Sequence, residues 1–84
     1  MGTKFRLEFA PRFERRLKSL DRQTQIRILR EVQILAADPH AGKLLRGRWQ
    51  GTRSLRIGAY RVIYLVSEDT VVLLTVGHRK GVYD

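Results

Sequence analysis

Arg56 and Arg61 lie on either side of Gly58-Ala59, and the chain closes on Gly77-His78-Arg79-Lys80-Gly81-Val82-Tyr83-Asp84. These residue types suit one kind of chemistry. Arginine presents a planar fork of donors that grips phosphate oxygens two at a time, where lysine is a point charge. RNA can be broken without a metal, because the ribose 2′-hydroxyl is itself the nucleophile. The protein must then orient that hydroxyl, neutralise the crowded phosphorane and help a proton on and off. Guanidinium groups suit the second task, as stabilisers of charge that develops in the transition state. They stay protonated and are poor bases. Proton transfer would fall to His78 or Tyr83, for general acid–base gains of ~10²–10⁴ each. Such an enzyme would be slow on free RNA and would gain from a partner that bends the substrate.

Other catalytic plans fall away. The eight acids (Glu8, Glu14, Asp21, Glu31, Asp38, Glu68, Asp69 and Asp84) are scattered, whereas a two-metal nuclease needs them clustered. No metal and no other cofactor is expected. Neither a Walker-type phosphate loop nor a dinucleotide fingerprint is present. The absence of cysteine removes disulfides, zinc fingers, iron–sulfur clusters and thiol nucleophiles together. His40, in Pro39-His40-Ala41-Gly42, reads as an exposed turn residue.

The charge is lopsided. Seventeen basic residues face eight acidic ones, a formal net charge of +9, and thirteen of the seventeen are arginine. From Lys43 to Arg61 there are six basic residues (Lys43, Arg46, Arg48, Arg53, Arg56 and Arg61) and no acid. An acid-free basic run that also holds Trp49 and Tyr60 has the electrostatic footprint of a polyanion site. Lys43, Arg46, Arg48, Arg53 and Arg56, with Lys80, are therefore candidate substrate contacts. No membrane is expected: the longest apolar stretch, Thr70 to Val76, is far short of the ~18 residues a span needs. The N-terminus alternates charged and apolar residues, unlike a signal peptide. A cysteine-free small domain points to a reducing cytoplasm.

Four segments must position these groups. Lys4 to Phe9 alternates with period two, as a half-buried strand does. Pro11 opens a helix that puts Phe13, Leu17 and Leu20 on one side, and Ser19-Leu20-Asp21 breaks it. Asp21 is a good N-cap for a second helix over Arg22 to Ala37. Its inward stripe is Ile28, Leu29, Val32, Leu35 and Ala36, with Ile26 on the flank and Ile34 pointing away. Asp38-Pro39 ends it. Pro39 to Thr52 reads as a loop anchored by Leu44, Leu45 and Trp49, and a loop of that length is usually functional. Strands follow over Arg53 to Ile57, Tyr60 to Val66 and Thr70 to Gly77, the last apolar enough to be covered on both faces. The fold class is α+β. An N-terminal strand, a two-helix hairpin and a three-stranded antiparallel meander form one mostly antiparallel four-stranded sheet, and residues 1–84 form one domain.

Gly58-Ala59 fits a two-residue type II′ turn, which fixes the register. Ile57 then opposes Tyr60, Arg56 opposes Arg61, Leu55 opposes Val62 and Ser54 opposes Ile63. Leu55, Ile57, Tyr60, Val62 and Tyr64 line one face, and Arg56 and Arg61 emerge together on the other. Like charges directly across a strand pair are destabilising. An anion between them would reverse the sign.

Leu55-Arg56-Ile57-Gly58-Ala59-Tyr60-Arg61-Val62-Ile63-Tyr64, followed by Val76-Gly77-His78-Arg79 and then Val82-Tyr83, resembles the RelE/ParE superfamily of toxins. Lys43-Leu44-Leu45-Arg46-Gly47 is similar to that family's Lys-Leu-x-Gly segment. The resemblance runs over essentially the whole chain. It implies an endoribonuclease of the RelE branch, which cuts messenger RNA in the ribosomal A site and is held inactive by a cognate antitoxin. The implied partners are that antitoxin, messenger RNA and ribosomal RNA. By the same resemblance Arg61 contacts the scissile phosphate, Arg79 stabilises the transition state and Tyr83 orients or activates the 2′-hydroxyl. The best-known bacterial members carry two lysines just before the Leu-Arg; here those positions are Thr52 and Ser54, with Arg53 and Arg56 nearby. The ParE branch shares the scaffold but poisons DNA gyrase without nuclease residues, and is the first alternative. A non-catalytic basic RNA- or ribosome-binding module, with Trp49 and Tyr60 as stacking platforms, is the second.

Overall fold

The structure, a computed structural model, describes residues 4–81. Strand β1 (Arg6–Phe9) leads into helix α1 (Pro11–Lys18), which begins at the proline because a first helical residue has no intrahelical use for its N–H. Asp21 caps helix α2 (Arg22–Glu31), its carboxylate accepting from the Thr24 N–H at 3.1 Å. That bond also holds the Asp21 carboxyl below its ordinary pKa, with the Thr24 hydroxyl the larger cause.

The second helix is not continuous to Ala37. It ends at Glu31 and resumes as α3 (Ile34–Ala37) after a tightened turn. There the Gln33, Leu35 and Ala36 N–H groups donate to the carbonyls three residues back. The tightening keeps Ile28, Val32 and Leu35 fully buried. Leu29, expected inward, is 38% exposed, and Ile26 and Ile34 are exposed further. α3 also ties down the start of the sheet, because the Phe5 N–H donates to the Ala36 carbonyl at 2.7 Å.

The sheet has five strands rather than the four expected. Lys43–Leu44 forms a two-residue strand, β2, on the outer edge of β3 (Arg53–Ile57). With β4 (Tyr60–Ser67) and β5 (Thr70–His78) the spatial order is β1-β5-β4-β3-β2. β1 runs parallel to β5 and the other pairs are antiparallel. The helices cover one face. Phe13, Leu17, Ile28, Val32 and Leu35 pack there with Ile57, Val62, Tyr64, Val71, Leu73 and Val76 in a single buried cluster.

A bulge in β5 decides which residues share that face. Ile63 pairs with Thr75 but Tyr64 pairs with Leu73, so Leu74 is an extra residue. Strict alternation from Leu73 would send Val76 away from the helices. The extra residue reverses the parity, and Val76 joins the core while Thr75 turns to the opposite face. This is why the strand reads as apolar at nearly every position: two inward sets of opposite parity are spliced together.

Candidate functional site

The site begins at the β3–β4 turn. Gly58 has φ +60°, a conformation that costs a side-chain-bearing residue, while Ala59 keeps an ordinary negative φ. That combination gives the two-residue hairpin and the expected register: Ile57 opposite Tyr60, Arg56 opposite Arg61, Leu55 opposite Val62, Ser54 opposite Ile63. The pair beside a two-residue turn is the hydrogen-bonded one. Arg56 and Arg61 therefore form a non-hydrogen-bonded pair, whose Cα atoms approach to ~4.5 Å in antiparallel sheets generally. Arg56 is exposed and its Nε–H donates to the Gly58 carbonyl at 3.5 Å. Arg61 is half-buried. Both lie on the face away from the helices.

The end of β5 is positioned by its own ladder. Arg61 opposes Gly77, and the Arg79 N–H donates to the Ala59 carbonyl at 2.9 Å, which locks the segment after β5 to the hairpin turn. Gly77 adds no side chain to the Arg56–Arg61 row. Arg79 and Lys80 are exposed, and neither they nor Arg56 makes an ion pair among the described residues.

His78 goes the other way. It opposes Tyr60, and the two rings meet edge to face with centroids 5.8 Å apart, on the helix side of the sheet. Its Nδ1 accepts from the Lys80 N–H at 3.3 Å. The β5 bulge causes this placement. Without the extra residue His78 would have shared the face of Leu74, and with it that of Arg56 and Arg61. Tyr83 lies outside the described residues.

The remaining basic residues divide into two groups. Lys43 pairs with Ser54 and so sits on the arginine face. Arg46 and Arg48 are exposed on the excursion from β2 to β3, a loop closed by the Leu45 N–H donating to the Thr52 carbonyl at 2.9 Å. Trp49 lies half-buried in the 3₁₀ turn Gly47–Trp49 of that loop. Arg53 is different. Its register partner is Tyr64, on the core face, and its guanidinium donates to the Gly42 carbonyl at 2.9 Å and the His40 carbonyl at 3.4 Å. It braces the loop rather than projecting freely.

Tyr64, read from sequence only as a core residue, proves to be the anchor of that brace. Its hydroxyl is fully buried, donates to the Pro39 carbonyl and accepts from the Gly42 N–H, both at 2.8 Å. Gly42 allows the approach, since a Cβ there would lie 2.6 Å from the Tyr64 hydroxyl oxygen and 2.8 Å from the Ser54 carbonyl oxygen. Burial pushes the Tyr64 hydroxyl above its ordinary pKa, against the smaller opposing pull of the Gly42 bond and the Arg53 charge. A Pro-x-x-Gly turn upstream of a buried strand tyrosine was the only available signal, and it is weak.

A basic sheet face thus lies opposite a packed helical pair on a mostly antiparallel α+β frame. The family described as ParE toxin of type II toxin–antitoxin system, parDE, matches residues 7–83, and the chain belongs to it. The curated Toxin RelG of Mycobacterium tuberculosis (strain ATCC 25618 / H37Rv) is 42% identical over 52 residues, covering 58% of this chain and 60% of the relative. The chain thus matches less than two thirds of that relative's length. Among solved structures, the toxin–antitoxin complex RelBE2 of Mycobacterium tuberculosis aligns over 90% of this chain and 99% of the other, with TM-score 0.80 and 32% identity. The archaeal RelE–RelB complex from Pyrococcus horikoshii OT3 covers 93% and 98%, with TM-score 0.77 and 25% identity. The RelE/ParE superfamily placement and the α+β fold both hold. No described helix is long and apolar enough to cross a membrane.

Proposed function

We propose that the chain is the toxin of a type II toxin–antitoxin pair and cleaves messenger RNA in the ribosomal A site, in the cytoplasm, without a metal. One observation carries the reading: Arg56 and Arg61 stand directly opposite on the sheet face away from the helices, with Arg79 fastened to the same turn. In this mechanism the ribose 2′-hydroxyl attacks the adjacent phosphorus and the 5′-oxygen of the next nucleotide leaves, giving a 2′,3′-cyclic phosphate. Arg61 holds the scissile phosphate, and Arg79 meets the charge that builds on the phosphorane. Arg56, Lys43, Arg46 and Arg48 track the flanking backbone. Tyr83 is the proton-handling residue of choice. His78 faces the helices, so its part is to hold Tyr60 and the strand end rather than to reach the phosphate. A cognate antitoxin is the partner, as supported by relatives solved as toxin–antitoxin complexes, and it lies over the helices and the basic groove.

Toeprinting on translating ribosomes with purified protein tests this: codon-spaced cuts are expected. Arg61→Ala and Arg79→Ala should each lower the cleavage rate by about 10²-fold or more, the usual cost of removing a donor to a developing oxyanion. Circular dichroism should show both variants folded. Full cleavage by both would remove the nuclease assignment. The ParE description of the matched family favours a second reading, inhibition of DNA gyrase, and a supercoiling assay with the same protein decides between them.

A further inference from the structure

Three arginines from three separate elements meet at the Gly58-Ala59 turn. Arg56 comes from β3 and donates to the Gly58 carbonyl. Arg79 follows β5 and bonds the Ala59 carbonyl through its backbone. The third is Arg27, from the middle of α2, far away in sequence. Its guanidinium lies close against the glycine, Nη1 nearest: a Cβ on Gly58 would be 2.8 Å from Arg27 Nη1, 3.3 Å from Cζ and 3.5 Å from Nη2. The turn is therefore straddled, with Arg56 on the sheet face away from the helices and Arg27 on the helix side.

Arg27 is not drawn there by a carboxylate of the hairpin. Its ion-pair partner is Glu31, one helical turn away on α2, which accepts from Nε at 2.8 Å. That bond fixes the aim of the side chain and occupies only the Nε edge. The Arg27 side chain is still 58% exposed. Glu31 is also the only acid between Asp21 and Asp38. The Glu31 bond leaves both Nη groups of Arg27 beside the turn, available to a second anion. The arrangement gains when a chain of phosphates passes over the turn.

We propose that Arg27 is a backbone-phosphate contact for single-stranded RNA, extending the polyanion track from the arginine face around the hairpin tip onto α2. The inference rests on the reading of that face as an RNA site. It adds a contact that the linear sequence hides, because Arg27 lies outside the acid-free run and looks like an ordinary i, i+4 ion-pair residue. Glu31 acts as a positioning group that also competes with the RNA for the guanidinium.

The test is equilibrium binding of a fluorescein-labelled oligouridylate, followed by anisotropy over a series of salt concentrations. One lost phosphate contact on a single strand flattens the plot of log K against log salt by about 0.7. Arg27→Ala should show that change, and Arg27→Lys, which keeps the charge, should not. Glu31→Gln should tighten binding at low salt. Arg6→Ala is the control, since Arg6 pairs with Thr70 at the far end of β5 and should leave the slope at the wild-type value. Thermal unfolding of each variant checks that the fold is kept. A wild-type slope in folded Arg27→Ala, or an equal flattening in Arg6→Ala, overturns this inference alone. Wild-type protein that shows no salt-dependent binding overturns the RNA-site reading together with it.

Discussion

Arg56 and Arg61 carry the functional argument because they stand directly opposite each other across β3 and β4. Opposed like charges on a strand pair destabilise it on the scale of ~0.2–1 kcal/mol by which favourable pairs stabilise. Replacing Arg56 by threonine, a good strand former without charge, removes the repulsion and loses only the long Nε bond to the Gly58 carbonyl. Arg56→Thr is therefore expected to raise unfolding stability by a few tenths to about 1 kcal/mol while weakening RNA binding. Urea denaturation at low and high salt measures it. The gain should shrink as salt screens the pair. A variant less stable than the wild type at low salt would mean that the arginine pair is structural.

At the scale of elements, the loop after Pro39 is tied to β4 through the Tyr64 hydroxyl. Tyr64→Phe leaves the Pro39 carbonyl and the Gly42 N–H, both bonded to that oxygen, without their partner. Orphaned buried groups cost ~1–3 kcal/mol each. A loss of about 2–4 kcal/mol is expected, read from the urea midpoint at unchanged slope. The pH dependence has a definite sign. Burial raises the folded pKa of Tyr64 above the ordinary 10.0, so the folded state holds its proton longer than the unfolded chain does. The contribution is fully present below pH ~10 and is lost as pH rises through the folded value. Tyr64→Phe should flatten the alkaline decline of the melting temperature relative to wild type, and an identical decline in both proteins would remove this account of the loop.

The same elements show what sequence could and could not convey. The hairpin register was legible because Gly58-Ala59 and the alternation of Leu55 to Tyr64 agree on a single pairing. The caps at Pro11 and Asp21 were legible because capping is local chemistry. The β2 strand was not, since two residues in a glycine-rich loop become a strand only through the partner that β3 offers. The bulge at Leu74 was invisible for a similar reason: only the pairing with β4 reveals the extra residue. Its consequence reaches the site, because it parts His78 from the arginines. The break after Glu31 likewise goes with the full burial of Val32 and Leu35, a tertiary demand that helical periodicity alone does not express.

For the whole molecule, a net charge of +9 on 84 residues makes the compact state repel itself, and the polyanion that the sheet face invites is also what would relieve it. Two salt dependences of opposite sign follow. Free protein should gain stability from low to high salt as screening shortens from roughly 10 Å at 0.1 M to 3 Å at 1 M. For a domain of this size each 1 kcal/mol corresponds to about 4–8 °C in melting temperature. Protein saturated with single-stranded RNA should behave in the reverse way. Binding at a hundredfold excess over Kd adds about 2.7 kcal/mol, and that affinity falls steeply with salt as released counterions lose their entropic advantage. The melting curves with and without RNA should therefore lie well apart at low salt and converge near 1 M. Parallel curves, separated by the same interval at every salt concentration, would mean that the RNA is held by something other than the arginines, and the charge of this chain would then serve only to keep its copies apart.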